Sequence, residues 1–153
     1  MNIKTRYFGD IDLEESKIIT FENGLFGFEE YKRFALLFNS ETEERPAISW
    51  LQCVDEQSLA LPVLILTLVM PDYNPVVEDG VLTSLGDWNE ENIGVLVTIT
   101  VPKDLKQMTT NMKAPIIINT DSMKGCQVVV ENQDYEIKYR IYEILNAAKE
   151  RKE

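Results

Sequence analysis

The chain has 153 residues and carries 26 acidic against 15 basic side chains, a net charge of −11 with no histidine. That length suits a single domain spanning 1–153, which buries about two-thirds of its extended-chain surface without a disulfide or metal staple. The acidic balance excludes direct nucleic-acid binding, which needs a basic footprint, and no apolar run reaches the roughly 18 residues of a membrane span.

Residues 1–7 alternate loosely, with Ile3, Thr5 and Tyr7 on one face, and Gly9-Asp10 turns the chain into Ile11 and Leu13 as the start of a hairpin. The stretch 18–38 organises the rest of the chain. Ile18-Ile-Thr-Phe21 reads as a strand ending at Asn23-Gly24, a pair that tolerates positive φ. Gly27 reverses the chain again, 28–33 has room for about one helical turn, and 34–38 is the next strand. Phe21, Phe26, Phe28 and Phe34 crowd this corner and are expected to plug one end of a small β core. Residues 39–46 are polar and read as a surface loop, the most mobile part of the N-terminal half.

Strand character returns over 47–54, where both faces carry apolar groups. The most apolar run is 59–69. Pro62 cannot donate a ladder hydrogen bond, so the main strand is placed at 63–69. Asn74 with Pro75 can open a short helix that Gly80 closes, and Asp87 with Glu90 has the spacing of a capping box around Trp88. The clearest strand is 94–101, with Val95, Val97, Ile99 and Val101 on one face and Leu96, Thr98 and Thr100 on the other. Thr109 or Thr110 can cap a turn around Met112, Ala114-Pro115 ends it, and 116–119 should pair with 126–130 as a hairpin. Apolar residues from Ile137 to Ala148 recur at helical spacing, so a C-terminal helix is expected over about 138–150. About nine short strands without βαβ alternation give a mainly β fold: a small antiparallel β-barrel-like domain with short helical turns and that helix.

Chemistry is poorly provided for. The absent histidine removes the commonest general base and metal ligand. Cys53 and Cys126 lie in apolar surroundings that predict reduced, unreactive thiols, and no spacing makes a zinc or calcium site, so no catalytic residue, cofactor or metal is expected. Gly24 and Gly27 serve turn geometry, because no P-loop lysine comes after them. Charge is distributed unevenly. From Pro46 to Pro102 there is no lysine or arginine, while Asp72, Glu78, Asp79, Asp87, Glu90 and Glu91 fall there together with Asp55 and Glu56. Such a stretch is either a solvated acidic face or a field that steers a cationic protein partner. The first six are the candidate partner-binding residues.

Four segments carry a resemblance. Ile18-Ile-Thr-Phe21 with Gly24-Leu-Phe-Gly-Phe28, then Trp50-Leu-Gln52, then Asn111-Met-Lys-Ala-Pro-Ile-Ile-Ile-Asn119, and Gly125-Cys-Gln-Val-Val-Val130 together resemble the FliW family of flagellar assembly factors over about residues 1–140. The resemblance implies a non-enzymatic cytoplasmic protein, expected to be monomeric, that binds flagellin and also the translational repressor CsrA. Freed by flagellin export, such a protein captures CsrA and relieves repression of the flagellin message. A second class stays open: a small barrel enclosing an apolar small molecule, which interior volume would distinguish from a filled core. For the C-terminal helix, a cover over an open barrel end and a wall of a flagellin groove are both considered.

Overall fold

The computed structural model describes residues 1–37, 48–68 and 70–150, with side chains through Ala147. The loop expected over 39–46, and the expected strand ends at Phe38, Ala47 and Val69, lie outside those residues. The strands run β1 Asn2–Lys4, β2 Asp10–Asp12, β3 Ile18–Thr20, β4 Arg33–Leu37, β5 Ser49–Cys53, β6 Ala60–Leu64, β7 Ile93–Thr100, β8 Thr109–Thr110, β9 Ile116–Asn119, β10 Lys124–Gln127 and β11 Tyr139–Arg140. Two helices, α1 Asp79–Thr83 and α2 Tyr142–Glu150, and three short 3-10 turns complete the described elements.

The pairing order β7-β6-β5-β4-β3-β10-β9 returns to β7 through an antiparallel ladder that sets Ile93 opposite Asn119 and Leu96 opposite Ile116. Seven strands therefore close a barrel, as expected for a small β domain with no edge left in the ring. The closure holds one junction that a purely antiparallel barrel would not include. β10 meets β3 in parallel, through Lys124 opposite Thr20 alone. Closure there also uses the Thr20 N–H to Met123 carbonyl bond of 2.9 Å. Outside the ring, β8 and β11 extend from the far end of β7, and the β1–β2 hairpin lies against the outer face of β4.

Alternation divides the apolar residues among three clusters. Ile19, Phe34, Leu51, Cys53, Val63, Leu96, Ile116 and Ile118 point into the barrel. Their opposite-facing neighbours Leu64, Val97 and Ile99 build a second cluster on the outer face with Met108, Met112 and Ile141. Period-2 strands with apolar groups on both faces require such a two-layer arrangement, since either face left bare would meet water. The third cluster, Ile3, Leu13 and Ala35, sits beneath the N-terminal hairpin.

One end of the barrel is plugged. Phe21 and Phe34 are fully buried and meet edge to face at 5.6 Å between centroids, with Leu25 against them and Phe28 and Tyr31 partly buried around the rim. Phe26, counted with the plug on sequence, turns outward instead. It is half exposed, and its N–H donates to Gln127 Oε1 at 2.9 Å. The reason lies in the corner's geometry: Gly24 and Gly27 take φ of 69° and 86°, and a tight turn joins the Leu25 carbonyl to the Phe28 N–H, so residue 26 sits at the tip. Residues 28–31 form a hydrogen-bonded turn, not a helical one.

Several local expectations move. Pro62 lies inside β6 and not before it, and the chain leaves the strand at Ile65 for a 3-10 turn over Leu66–Leu68. The Cys53 N–H to Leu59 carbonyl bond sets the ladder phase so that Trp50 and Pro62 face each other as a non-hydrogen-bonded pair. Pro62's missing N–H then points toward β7, whose pairing begins only at Val63. The chain at 74–78 is not helical, and Gly80 lies within α1 instead of closing a helix. Thr109 and Thr110 belong to β8, and the cap is Asn111, whose Oδ1 accepts from the N–H groups of Lys113 and Ala114. β7 ends at Thr100, leaving Val101 exposed. Trp50 is half buried and stacks on Tyr7 at 4.3 Å. The C-terminal helix begins at Tyr142, because 139–140 pair with β8 as a strand and Ile137 is exposed.

Candidate partner-binding surface

Between β6 and β7 the chain leaves the barrel and returns only at Ile93, and this excursion carries all six candidate acidic residues. Asp72, Glu78, Asp79, Asp87, Glu90 and Glu91 are each exposed, and none forms an ion pair among the described residues. The other two acids of the base-free stretch lie elsewhere. Asp55 makes a two-pronged bond with the Arg33 guanidinium, which holds its carboxyl below the usual carboxylate range, and Glu56 sits in the β5–β6 turn. The six thus share one excursion, exposed and outside any ion pair among the described residues.

Polar clasps hold the excursion at both ends, to Met112 and the segment after β10 at its start and to Asn119 of β9 at its end. At its start, buried Tyr73 donates its hydroxyl to the Met112 carbonyl at 2.8 Å, and burial pushes that phenol well above its ordinary pKa. Asn132 then accepts from the Val76 N–H at 2.7 Å and donates to the Asn74 carbonyl at 3.1 Å, while Tyr135 Oη accepts from the Asn74 N–H. At its end, Asn92 and Asn119 both donate to the Asp87 carbonyl at 3.0 Å. Asn119 is fully buried, and its Oδ1 accepts from the N–H groups of Asp121 and Ser122, which fixes the β9–β10 turn at the same point. The capping box expected from Asp87 and Glu90 is made instead by Asn89 and Asn92: each Oδ1 accepts from the other's N–H. The side chains of Asp87 and Glu90, left out of the cap, are exposed.

Sequence reasoning missed these asparagines as positioning residues. Asn111 and Asn119 bound the third of the family-like segments, yet an asparagine at a strand end reads as turn punctuation unless its burial is known. Gln52 was missed in the same way. Buried at the far side of the barrel, it accepts from the Arg6 N–H and donates into the carbonyls of the β5–β6 turn.

Under the excursion lies a cavity of about 490 Å³. Tyr73, Val77, Leu82, Trp88, Ile93 and Ile117 give it an apolar wall, and Glu90 stands on its border. A second cavity, of about 820 Å³, lies at the end of the barrel away from Phe21 and shares Thr67, Ile93 and Val95 with the first. The surface thus sets one of the six carboxylates, Glu90, at the edge of an apolar groove. No cluster of metal-ligating side chains occurs among the described residues, and burial raises the pKa of both thiols, Cys53 and Cys126.

A family profile described as FliW protein matches residues 2–141. The chain belongs to the FliW family. A flagellar assembly factor FliW from Lachnoclostridium phytofermentans is 57% identical over 143 residues, covering 94% of this chain and 92% of that protein. Another, from Lachnospira eligens, is 47% identical over 95% of this chain and 97% of its own length. A crystal structure of the flagellar assembly factor FliW superposes with a TM-score of 0.82 at 33% identity, covering 92% of this chain and 96% of that one. These relatives are named as assembly factors, and no helix of the described residues is long and apolar enough to cross a membrane.

Proposed function

We propose that this chain is a non-enzymatic cytoplasmic binding protein of flagellar assembly that captures the translational repressor CsrA, relieving repression of flagellin synthesis, and releases it when flagellin binds. Family membership supports the flagellar role. The observation that carries the partner reading is the excursion of 71–92, with six exposed carboxylates outside any ion pair among the described residues, on a segment held by Asn132 near its start and by Asn119 of β9 near its end. A repressor that binds RNA is basic where phosphate docks, so an acidic field beside that surface attracts the repressor and repels its message. The apolar groove beneath the same excursion suits a helical segment of flagellin, which would insert apolar side chains at helical spacing.

A shared excursion makes the two partners exclusive. Purified chain preloaded with CsrA and titrated with flagellin should release CsrA as flagellin binds, read by size-exclusion chromatography. A stable ternary complex at full occupancy of both would sink the exclusivity, and failure to retain either partner would sink the reading itself.

A further inference from the structure

The end of the barrel away from Phe21 holds a cavity that partner exchange leaves unassigned. Its cavity of about 820 Å³ lies within the range of small-molecule sites, roughly 300–1,000 Å³, and is lined mainly by apolar side chains. The walls come from the first residues of β3 and β7 and the last of β4 and β9, so they mix barrel-interior side chains with the outer face of β7. Lys17 is the single charged residue among the lining. It closes the 3-10 turn Glu15–Lys17, is exposed, and has no ion-pair partner among the described residues, although Glu14 and Glu15 precede it. In a chain of net charge −11, an uncancelled ammonium at an apolar opening selects one kind of occupant. The occupant needs an aliphatic body to desolvate the walls and one anionic head to meet the cation.

We propose that this opening binds a long-chain aliphatic monocarboxylate, with its chain among Ile19, Leu36, Leu96, Ile118 and Met123 and its carboxylate at the Lys17 ammonium. The site goes beyond the partner reading and stands on its own geometry. Isothermal titration of the full chain with dodecanoate, kept below its micelle threshold, should give saturable one-to-one binding. Lys17→Glu should weaken that binding roughly three- to tenfold, the range for an exposed attraction turned into a repulsion, while Lys17→Arg leaves it within about twofold. Ile65→Asp places a carboxylate on the wall at a residue already 44% exposed and should abolish binding. Lys17→Glu and Ile65→Asp alter exposed positions, so thermal transitions like the parent's are expected. Absence of saturable binding, or binding indifferent to Lys17→Glu and Ile65→Asp, overturns the site. Equal binding of dodecyltrimethylammonium overturns the role given to Lys17.

Discussion

At the scale of single residues, burial redistributes what aromatic content alone suggests. Phe28 is only partly buried, so the full cost of emptying an aromatic site belongs to Phe21, which is completely enclosed. Phe21→Ala should lose about 3–5 kcal/mol and Phe28→Ala clearly less, read from urea midpoints at unchanged slope. Gly125 tests the same packing from the other side. A Cβ there would stand 2.5 Å from Phe21 Cε1 and 3.1 Å from the Ile117 carbonyl oxygen, so neither ring nor strand can yield freely. Gly125→Ala should therefore cost about 1–3 kcal/mol by overpacking, and a neutral result would mean that the ring moves aside. The Arg33–Asp55 pair supplies a pH signature. Hydrogen bonds from Arg33 lower the Asp55 carboxyl against a smaller upward push from desolvation, so the pair's contribution is complete above the ordinary carboxylate pKa of about 3.9 and fades as pH falls through the lowered value. Both side chains are nearly half exposed, which limits the effect to under about 1 kcal/mol. Denaturation of parent and Asp55→Asn should differ at neutral pH and converge in acid; a constant gap would exclude the linkage.

Elements raise the question of what the C-terminal helix covers. α2 closes no barrel end. Ile141, just before it, is fully buried, and with Ile144 and Leu145 it rests on the outer-face cluster around Val97 and Met108. The Ile141 N–H also donates to the Met108 carbonyl. The apolar stripe is therefore used within the chain, and Ile141→Ala should cost about 2–5 kcal/mol while leaving flagellin affinity unchanged. Weakened flagellin binding at parent-like stability would make the helix a groove wall after all. A clasp is also an element-scale device: Asn119→Leu removes the acceptor for two N–H groups and the donor to Asp87, so stability should fall by about 1–3 kcal/mol. Hydrogen exchange should quicken over 85–92 and 119–123, and exchange confined to the second segment would unlink turn and excursion.

Legibility in the sequence divides along the same lines. β7 was readable because Val95, Val97 and Ile99 alternate over more than one period, and the β9–β10 hairpin because two apolar runs flank a short polar turn, although β10 runs Lys124–Gln127, starting inside the turn expected at 121–125 and stopping short of 130. Caps were misassigned because Asp, Asn and Thr share cap propensity, and only the local backbone decides whose oxygen meets a free N–H. The parallel β3–β10 seam leaves no mark on either strand's pattern, since one pair of residues carries it. Of the site, the charge was legible and the groove was not: Tyr73, Trp88 and Ile117 come from segments that only the closed barrel brings together.

For the whole molecule, the proposed function makes electrostatics the factor that decides how a partner arrives. The net charge of −11 sums over a surface on which Asp55 has an internal partner and the six carboxylates of the excursion have none. Steering by such a field acts on the encounter and not on the bound complex, so under the proposed function it belongs to the association rate with CsrA. Stopped-flow association should slow as ionic strength rises past about 0.1 M, where exposed charges are screened beyond roughly 10 Å, while dissociation changes little. Neutralising Glu78, Asp79, Glu90 and Glu91 together, as Gln, Asn, Gln and Gln, should lower the low-salt association rate about tenfold and flatten its salt dependence. All four side chains are exposed and carry no ion pair among the described residues, so the variant's unfolding midpoint should stay at the parent's value. Neutralising Asp10, Asp12, Glu22 and Glu30, four exposed carboxylates outside the excursion, removes the same charge elsewhere and controls for net charge alone. An association rate indifferent to salt, or equal losses in the two variants, would remove the excursion from the encounter.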